Sequence, residues 1–182
     1  MRSLGIGMVL MASLTTVGCA GEEPGRPTPD PATQSGELSP VPPTGGESSR
    51  GIFGDTKACE LLDPVLPAQG FPAGEPTDIG GDNGCTASKS GASTTFYLDD
   101  QQSIDDLKGS PEKKFTGDLN GRRLLRVEDV RGDGGGCQIG IEVAAKARAV
   151  VTIVLGSNRP TAEACELAAT MGTEIEPKLP RG

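Results

Sequence analysis

The residue pattern predicts an α+β domain, a largely antiparallel sheet with helices near both domain termini and two disulfides. Three observations carry this expectation. Ile139, Ile141 and Val143 alternate on one arm and Val151, Ile153 and Leu155 on the other, and a short connection near Lys146 joins the two runs as a β-hairpin. Ala164, Leu167, Ala168, Met171 and Ile175 recur at helical spacing behind Pro160-Thr161 and are halted by Pro177. Cys59, Cys85, Cys137 and Cys165 are an even set spread through the same stretch. The order helix, strands, strands, helix puts the helices over one face of the sheet.

In chain order, a first helical segment starts at Asp55 or Thr56, either of which can cap it, and carries Ala58, Cys59, Leu61 and Leu62. Asp63-Pro64 reads as a fresh cap with proline at the first helical position, opening a short turn through Leu66. Residues 70–84 are loop by composition. A short strand over 85–88 is followed by a stronger one over 93–98, rich in β-branched and aromatic side chains. Ser103 caps a short helix containing Ile104 and Leu107. Residues 122–130 form another strand, entered through the turn-prone Asn120-Gly121 pair, and residues 132–136 form a flexible loop before the hairpin.

The domain so described spans residues 51–182, with 14 basic and 20 acidic side chains and hence a charge of −6. That is ordinary solubility charge rather than a ligand-steering field. Ahead of it, residues 20–50 hold seven of the 15 prolines and four aliphatic side chains, Ala20, Ala32, Leu38 and Val41. Such a segment buries too little apolar surface to offset the entropy of ordering it. It reads as a tether, reaching roughly 30 Å as a coil and about 95 Å if extended. At the start of the chain, Arg2 precedes an apolar stretch over residues 4–14, shorter than the roughly 20 residues that span a bilayer but matched to a signal peptide. TTVGCA then follows, with Gly18 immediately before Cys19. This resembles a bacterial lipobox, although Thr16 stands where leucine is usual. The expectation is a signal peptide over 1–18, diacylglycerol on the thiol of Cys19, and a tether over 19–50. Two acyl chains, palmitate among them, give stable attachment where one is marginal.

Composition excludes several functions. The whole chain of 182 residues has 17 Lys+Arg, 25 Asp+Glu and a net charge of −8, with no His and no Trp. Without histidine there is no Ser-His-Asp or Cys-His nucleophilic site and no imidazole metal ligand. An acidic chain with four Phe and one Tyr also lacks the basic surface and stacking platforms that nucleic-acid binders use. The four domain cysteines lie at least 26 residues apart, so neither a zinc site built from close pairs nor a CxxC redox centre fits. Structural disulfides are expected. Spacing alone leaves all three pairings open.

The segments ACELL, GCT at Cys85, CQIGIEV from Cys137 and ACELAATMGTEIEPKL resemble, taken together, the actinobacterial cell-envelope lipoproteins that share a four-cysteine domain of unknown function. The family pattern has Trp after Cys-Thr, where this chain has Ala87. The resemblance covers about residues 55–178, implies the fold and an envelope location, and carries no catalytic residues. A looser similarity to the extracellular ligand-sensing domains of actinobacterial Ser/Thr kinases implies sequential pairing, Cys59–Cys85 and Cys137–Cys165. Pairing of the terminal helices through Cys59–Cys165 stays open.

Other candidate sites have simple alternatives. Asp99-Asp100 and Asp105-Asp106 are the carboxylates that a glycosidase acid and base would need, but their polar surroundings read as a solvated edge. Asp82, Asp129 and Asp133 lack the spacing of a calcium loop. Arg131-Gly132-Asp133 spells an adhesion tripeptide, at a length where chance matches are common. Gly134-Gly135-Gly136 precedes a strand, whereas a phosphate loop precedes a helix. Arg122-Arg123, with Arg126 further along the strand, could hold an anionic headgroup or polymer. The resulting expectation is a non-enzymatic lipoprotein, anchored to the membrane through Cys19 on its extracytoplasmic side. It would bind an unidentified envelope ligand or protein partner, with no cofactor, metal or nucleic acid. A wall-polymer hydrolase using paired carboxylates, or a structural spacer, is the alternative.

Overall fold

The alternating strands assemble into one seven-stranded sheet in the computed structural model, which describes residues 51–156 and 158–182. The signal peptide, Cys19 and the tether fall outside the described residues. The strands are β1 (Glu75–Thr77), β2 (Gly84–Lys89), β3 (Ala92–Asp99), β4 (Lys114–Leu119), β5 (Arg122–Glu128), β6 (Gly136–Ala144) and β7 (Ala147–Leu155). Their spatial order is β1-β2-β3-β7-β6-β5-β4, and every neighbouring pair is antiparallel. Two meanders are thus joined through β3 and β7. The chain leaves β3 in mid-sheet, crosses one face, and re-enters at the far edge as β4.

Two helices complete the domain, α1 (Ala58–Leu62) and α2 (Thr161–Ile175). The helical part is smaller and less symmetrical than expected. Its weight lies in the fifteen residues of α2 at the C-terminal end, against five residues in α1, and the sheet dominates. Two edge strands also appear where none was expected. β1 contains Pro76, which an edge tolerates because only one side of the strand is paired. β4 has solvent on both faces over most of its length, and its alternation is short, with Gly117 between Phe115 and Leu119 on the apolar side.

One sheet face is the core. From β3, β6 and β7 it presents Phe96, Leu98, Ile139, Ile141, Val151 and Ile153, and α2 closes over them with Ala164, Ala168, Met171 and Ile175. The disulfides fasten both helices to this face, Cys59–Cys85 joining α1 to β2 and Cys137–Cys165 joining β6 to α2, each with Cα atoms 5.0 Å apart.

The opposite face carries a smaller cluster of Tyr97, Leu125, Val127 and Val150 under Ile104 and Leu107 of the β3–β4 crossover. Gly140 makes this crossing possible. A Cβ there would stand 2.6 Å from Leu107 Cδ1. The segment after Ser103 is a 3₁₀ turn over Ile104–Asp106 rather than an α-helix, with Ser103 N–H donating to Asp106 Oδ2 at 2.9 Å.

Buried arginines tie irregular chain to the sheet. Arg148 contacts Asp99 at 2.9 Å and donates to the Ser103 carbonyl at 2.9 Å and to Gln102 Oε1 at 2.8 Å, fixing the start of the crossover. Arg122 donates to Glu176 Oε1 at 2.7 Å and to the Pro180 carbonyl at 2.8 Å, fixing the end of the chain. Asn120 donates to the other Glu176 oxygen at 2.8 Å. The amide of Asn120 and the guanidinium of Arg122 together hold this carboxyl below the usual glutamate range, against the opposing effect of burial. Asn120 and Gly121 adopt φ of 52° and 82°, the left-handed pair that a tight hairpin turn demands.

Candidate functional site

Most residues singled out from sequence are committed to the fold. Asp99 accepts from Arg148, while Asp100, just past the end of β3, accepts from Gln101 Nε2 at 2.9 Å. Both line a hollow of about 390 Å³ with Phe53, Leu98 and Asn83. Asp105 forms a two-pronged ion pair with Arg123, whose hydrogen bond holds the carboxyl below its ordinary range. Asp106 is lowered likewise, first by the Ser103 backbone N–H and then by the Ser103 hydroxyl. A general acid for glycoside cleavage needs the opposite, a raised pKa. Asp105 and Asp106 are shifted the other way.

The calcium and anion candidates are likewise separated or occupied. Asp82 lies before β2, at the other end of the sheet from Asp129 and Asp133 in the β5–β6 loop. Asp129 Oδ1 accepts from Gly134 N–H at 2.8 Å, and Asp133 pairs with Arg131 at 3.2 Å within the adhesion-like tripeptide. Among the described residues, no three His, Cys, Asp or Glu side chains are grouped to hold a metal ion. The three arginines each have an acidic partner, although Arg126 Nε has no hydrogen-bond partner. Arg122 is taken by Glu176, Arg123 by Asp105 and Glu142, and Arg126 by Glu128 at 3.0 Å and the Phe115 ring at 4.8 Å.

The arrangement best suited to a ligand was not visible in sequence. At the end of the sheet where β2 turns into β3, Gly156 N–H donates to the Gly91 carbonyl at 2.8 Å and seats the β7–α2 connection. Beside it opens a cleft of about 350 Å³ with Ala92, Leu155 and Leu167 among its lining. Strand β3, strand β7 and α2 supply these three apolar side chains, which the core-facing registers bring together. Ions of both signs stand around them. Lys89 reaches the Gln69 carbonyl and lies 4.3 Å from the centre of the Phe71 ring, a cation–π contact. Arg159 Nε donates to Glu163 Oε2 at 2.8 Å across one turn of chain, and Glu166 lies further along α2.

Two cations, Lys89 and Arg159, and two anions, Glu163 and Glu166, stand in the wall of the cleft. It offers a predominantly polar wall of hydrogen-bonding groups and an exposed ion pair around a small apolar patch. The i, i+4 spacing of Arg159 and Glu163 is the one local signal that reveals part of it. A broader hollow of about 790 Å³ runs past Cys59, Pro76 and Asn83 beside β1. There the Asn83 side chain is already engaged, accepting from Ala58 N–H at 2.9 Å and donating to the Thr56 carbonyl at 2.8 Å. Asn83 therefore caps α1, whose N-cap position is Lys57 rather than the Asp55 or Thr56 expected. Asp63 likewise ends α1 rather than starting a new helix, and its carboxylate accepts from Gly74 N–H at 2.8 Å.

No family model, curated protein or solved structure matches the chain. Among the described residues, no helix is long and apolar enough to cross a membrane.

Proposed function

We propose that this protein is a cell-envelope lipoprotein, anchored through diacylglycerol on Cys19, whose domain binds a ligand or partner without catalysis. The observation that carries the binding reading is the cleft between α2 and the β2–β3 end of the sheet. It combines a small apolar patch of Ala92, Leu155 and Leu167 with two cations and two anions. Polar groups make up the larger part of its wall, which suits a ligand held chiefly by hydrogen bonds and charge with one apolar portion on these three side chains. The chemistry suits a small neutral or zwitterionic molecule with an apolar portion. Two disulfides in a domain with few aromatic rings accord with an oxidising compartment outside the cytoplasm. The lipobox-like residues before Cys19 supply the anchor, and the proline-rich stretch the tether.

Native mass spectrometry of the protein recovered from its own envelope tests the binding reading. A retained adduct that disappears when Ala92→Trp fills the cleft supports it. An adduct unaffected by that change places the ligand elsewhere and defeats the assignment. For the anchor, Cys19→Ala releases the protein from the membrane fraction, and unchanged fractionation rejects the lipobox reading.

A further inference from the structure

The sheet ends on one side in β1, three residues interrupted by Pro76, and on the other in β4, six residues paired only with β5. A free edge of that length is a template for another strand, and proteins blunt such edges with charge, lysine above all. β4 reads Lys-Phe-Thr-Gly-Asp-Leu, with Lys114, Thr116 and Asp118 on the crossover face and Phe115, Gly117 and Leu119 on the helix face. Its lysine repels a generic basic strand. Asp118, on the same face, makes that strand complementary to itself when reversed. Phe115 is also one of two exposed large hydrophobic residues among those described, at 41%.

We infer that β4 is a homodimer edge, on which a second copy of this chain docks antiparallel to extend the sheet to fourteen strands. Symmetry restricts how this can happen. Hydrogen-bonded and non-hydrogen-bonded rungs alternate along an antiparallel pair, so a two-fold axis must pass through a rung. One residue therefore faces its own copy. With Thr116 at the axis, Lys114 lies opposite Asp118 of the second copy and Asp118 opposite its Lys114. Phe115 faces Gly117 twice, and Thr116 faces Thr116.

Each of these is a favourable cross-strand pair, of opposite charge, of hydroxyls, or of an aromatic ring covering an edge glycine. Moving the axis to Phe115 sets Glu112 against Asp118. Moving it to Gly117 leaves both charged residues without opposite partners. Arg126 already holds the Phe115 ring at 4.8 Å, and Gly121 N–H donates to Asp118 Oδ1 at 3.0 Å. Two of the docking groups are therefore positioned before any partner arrives.

The register is readable by crosslinking the full chain in its own envelope. In this arrangement the two Thr116 Cα atoms lie about 4.5–5.5 Å apart, within disulfide range. The two Lys114 Cα atoms, offset by four residues, lie about 13 Å apart. Under mild oxidation Thr116→Cys should run as a dimer on a non-reducing gel, whereas Lys114→Cys and Asp118→Cys should each stay monomeric. Combining Thr116→Cys with Lys114→Asp should cut the crosslinked fraction roughly fivefold, and adding Asp118→Lys should restore it. No Thr116→Cys dimer, equal crosslinking at all three positions, or indifference to the charge exchange would overturn the inference. So would a crosslink to a protein of another mass, which would assign the edge to a foreign strand.

Discussion

Removing Arg122 should destabilise this domain more than almost any other polar substitution. Glu176 is only 1% exposed, and its carboxylate is met by Arg122 Nε at 2.7 Å and Asn120 Nδ2 at 2.8 Å. Arg122→Ala strands that carboxylate with the Asn120 amide alone and frees the Leu179 and Pro180 carbonyls from their donor. Breaking one side of a buried pair costs about 3–5 kcal/mol, because the remaining charge is left without compensation. With a urea dependence of about 2 kcal/mol/M, the unfolding midpoint should fall by roughly 2 M. Glu176→Gln keeps the shape and removes the charge, and should cost about 2 kcal/mol.

The pH dependence separates the ion pair from mere packing. Glu176 has a folded pKa below its unfolded value, so its stabilisation is fully present above the ordinary glutamate pKa of about 4.3. It is lost as pH falls through the lower folded value. The stability gap between the wild-type protein and Glu176→Gln should therefore be full at neutral pH and close in acid. Urea titrations of both proteins across that range, with disulfides intact, measure it. A pH-independent gap, or an Arg122→Ala protein within about 0.5 kcal/mol of wild type, would refute the reasoning.

Three further outcomes are expected. The two disulfides close loops of nearly equal separation, 26 and 28 residues, so replacing either pair with serine should cost about 3.5 kcal/mol by the loop-entropy relation, measured by urea unfolding. Hydrogen exchange should then differ between them, local to α1 for Cys59–Cys85 and spread through α2 and β6 for Cys137–Cys165; identical exchange maps would contradict this. Asn83→Ala should cost about 1–2 kcal/mol and raise exchange at Ala58, since the amide is the cap of α1. Tyr97 is the chain's one tyrosine, so tyrosinate absorbance reads it alone. Burial pushes its phenol above the ordinary value, partly opposed by Arg148, and a midpoint at or below that of free tyrosine would disprove the buried placement.

What sequence revealed was what repeats locally. The β6–β7 hairpin and α2 each bury one face, and that burial imprints a period of two or of 3.6 on neighbouring residues. The Asn120-Gly121 turn was legible for a related reason, because left-handed backbone selects few residue types. β1 left no such imprint and β4 only a short one weakened by Gly117, since an edge strand needs neither two paired sides nor a buried face. The candidate cleft was hidden for a different reason. Lys89, Leu155 and Leu167 belong to three elements, and only the antiparallel register and the packing of α2 bring them together.

The sequence by itself determined the elements that bury a continuous face, together with an even set of widely spaced cysteines. Only tertiary structure decided the strand order, the cysteine partners and the fate of each charge. Arg122, a candidate anion-holding residue by sequence, and Arg148, which carried no local signal, are both buried, and their partners lie about 45–58 residues away along the chain. Periodicity is a short-range record of burial. Ion pairs, caps and clefts depend on which distant segment arrives opposite, and that follows from the topology of the whole sheet.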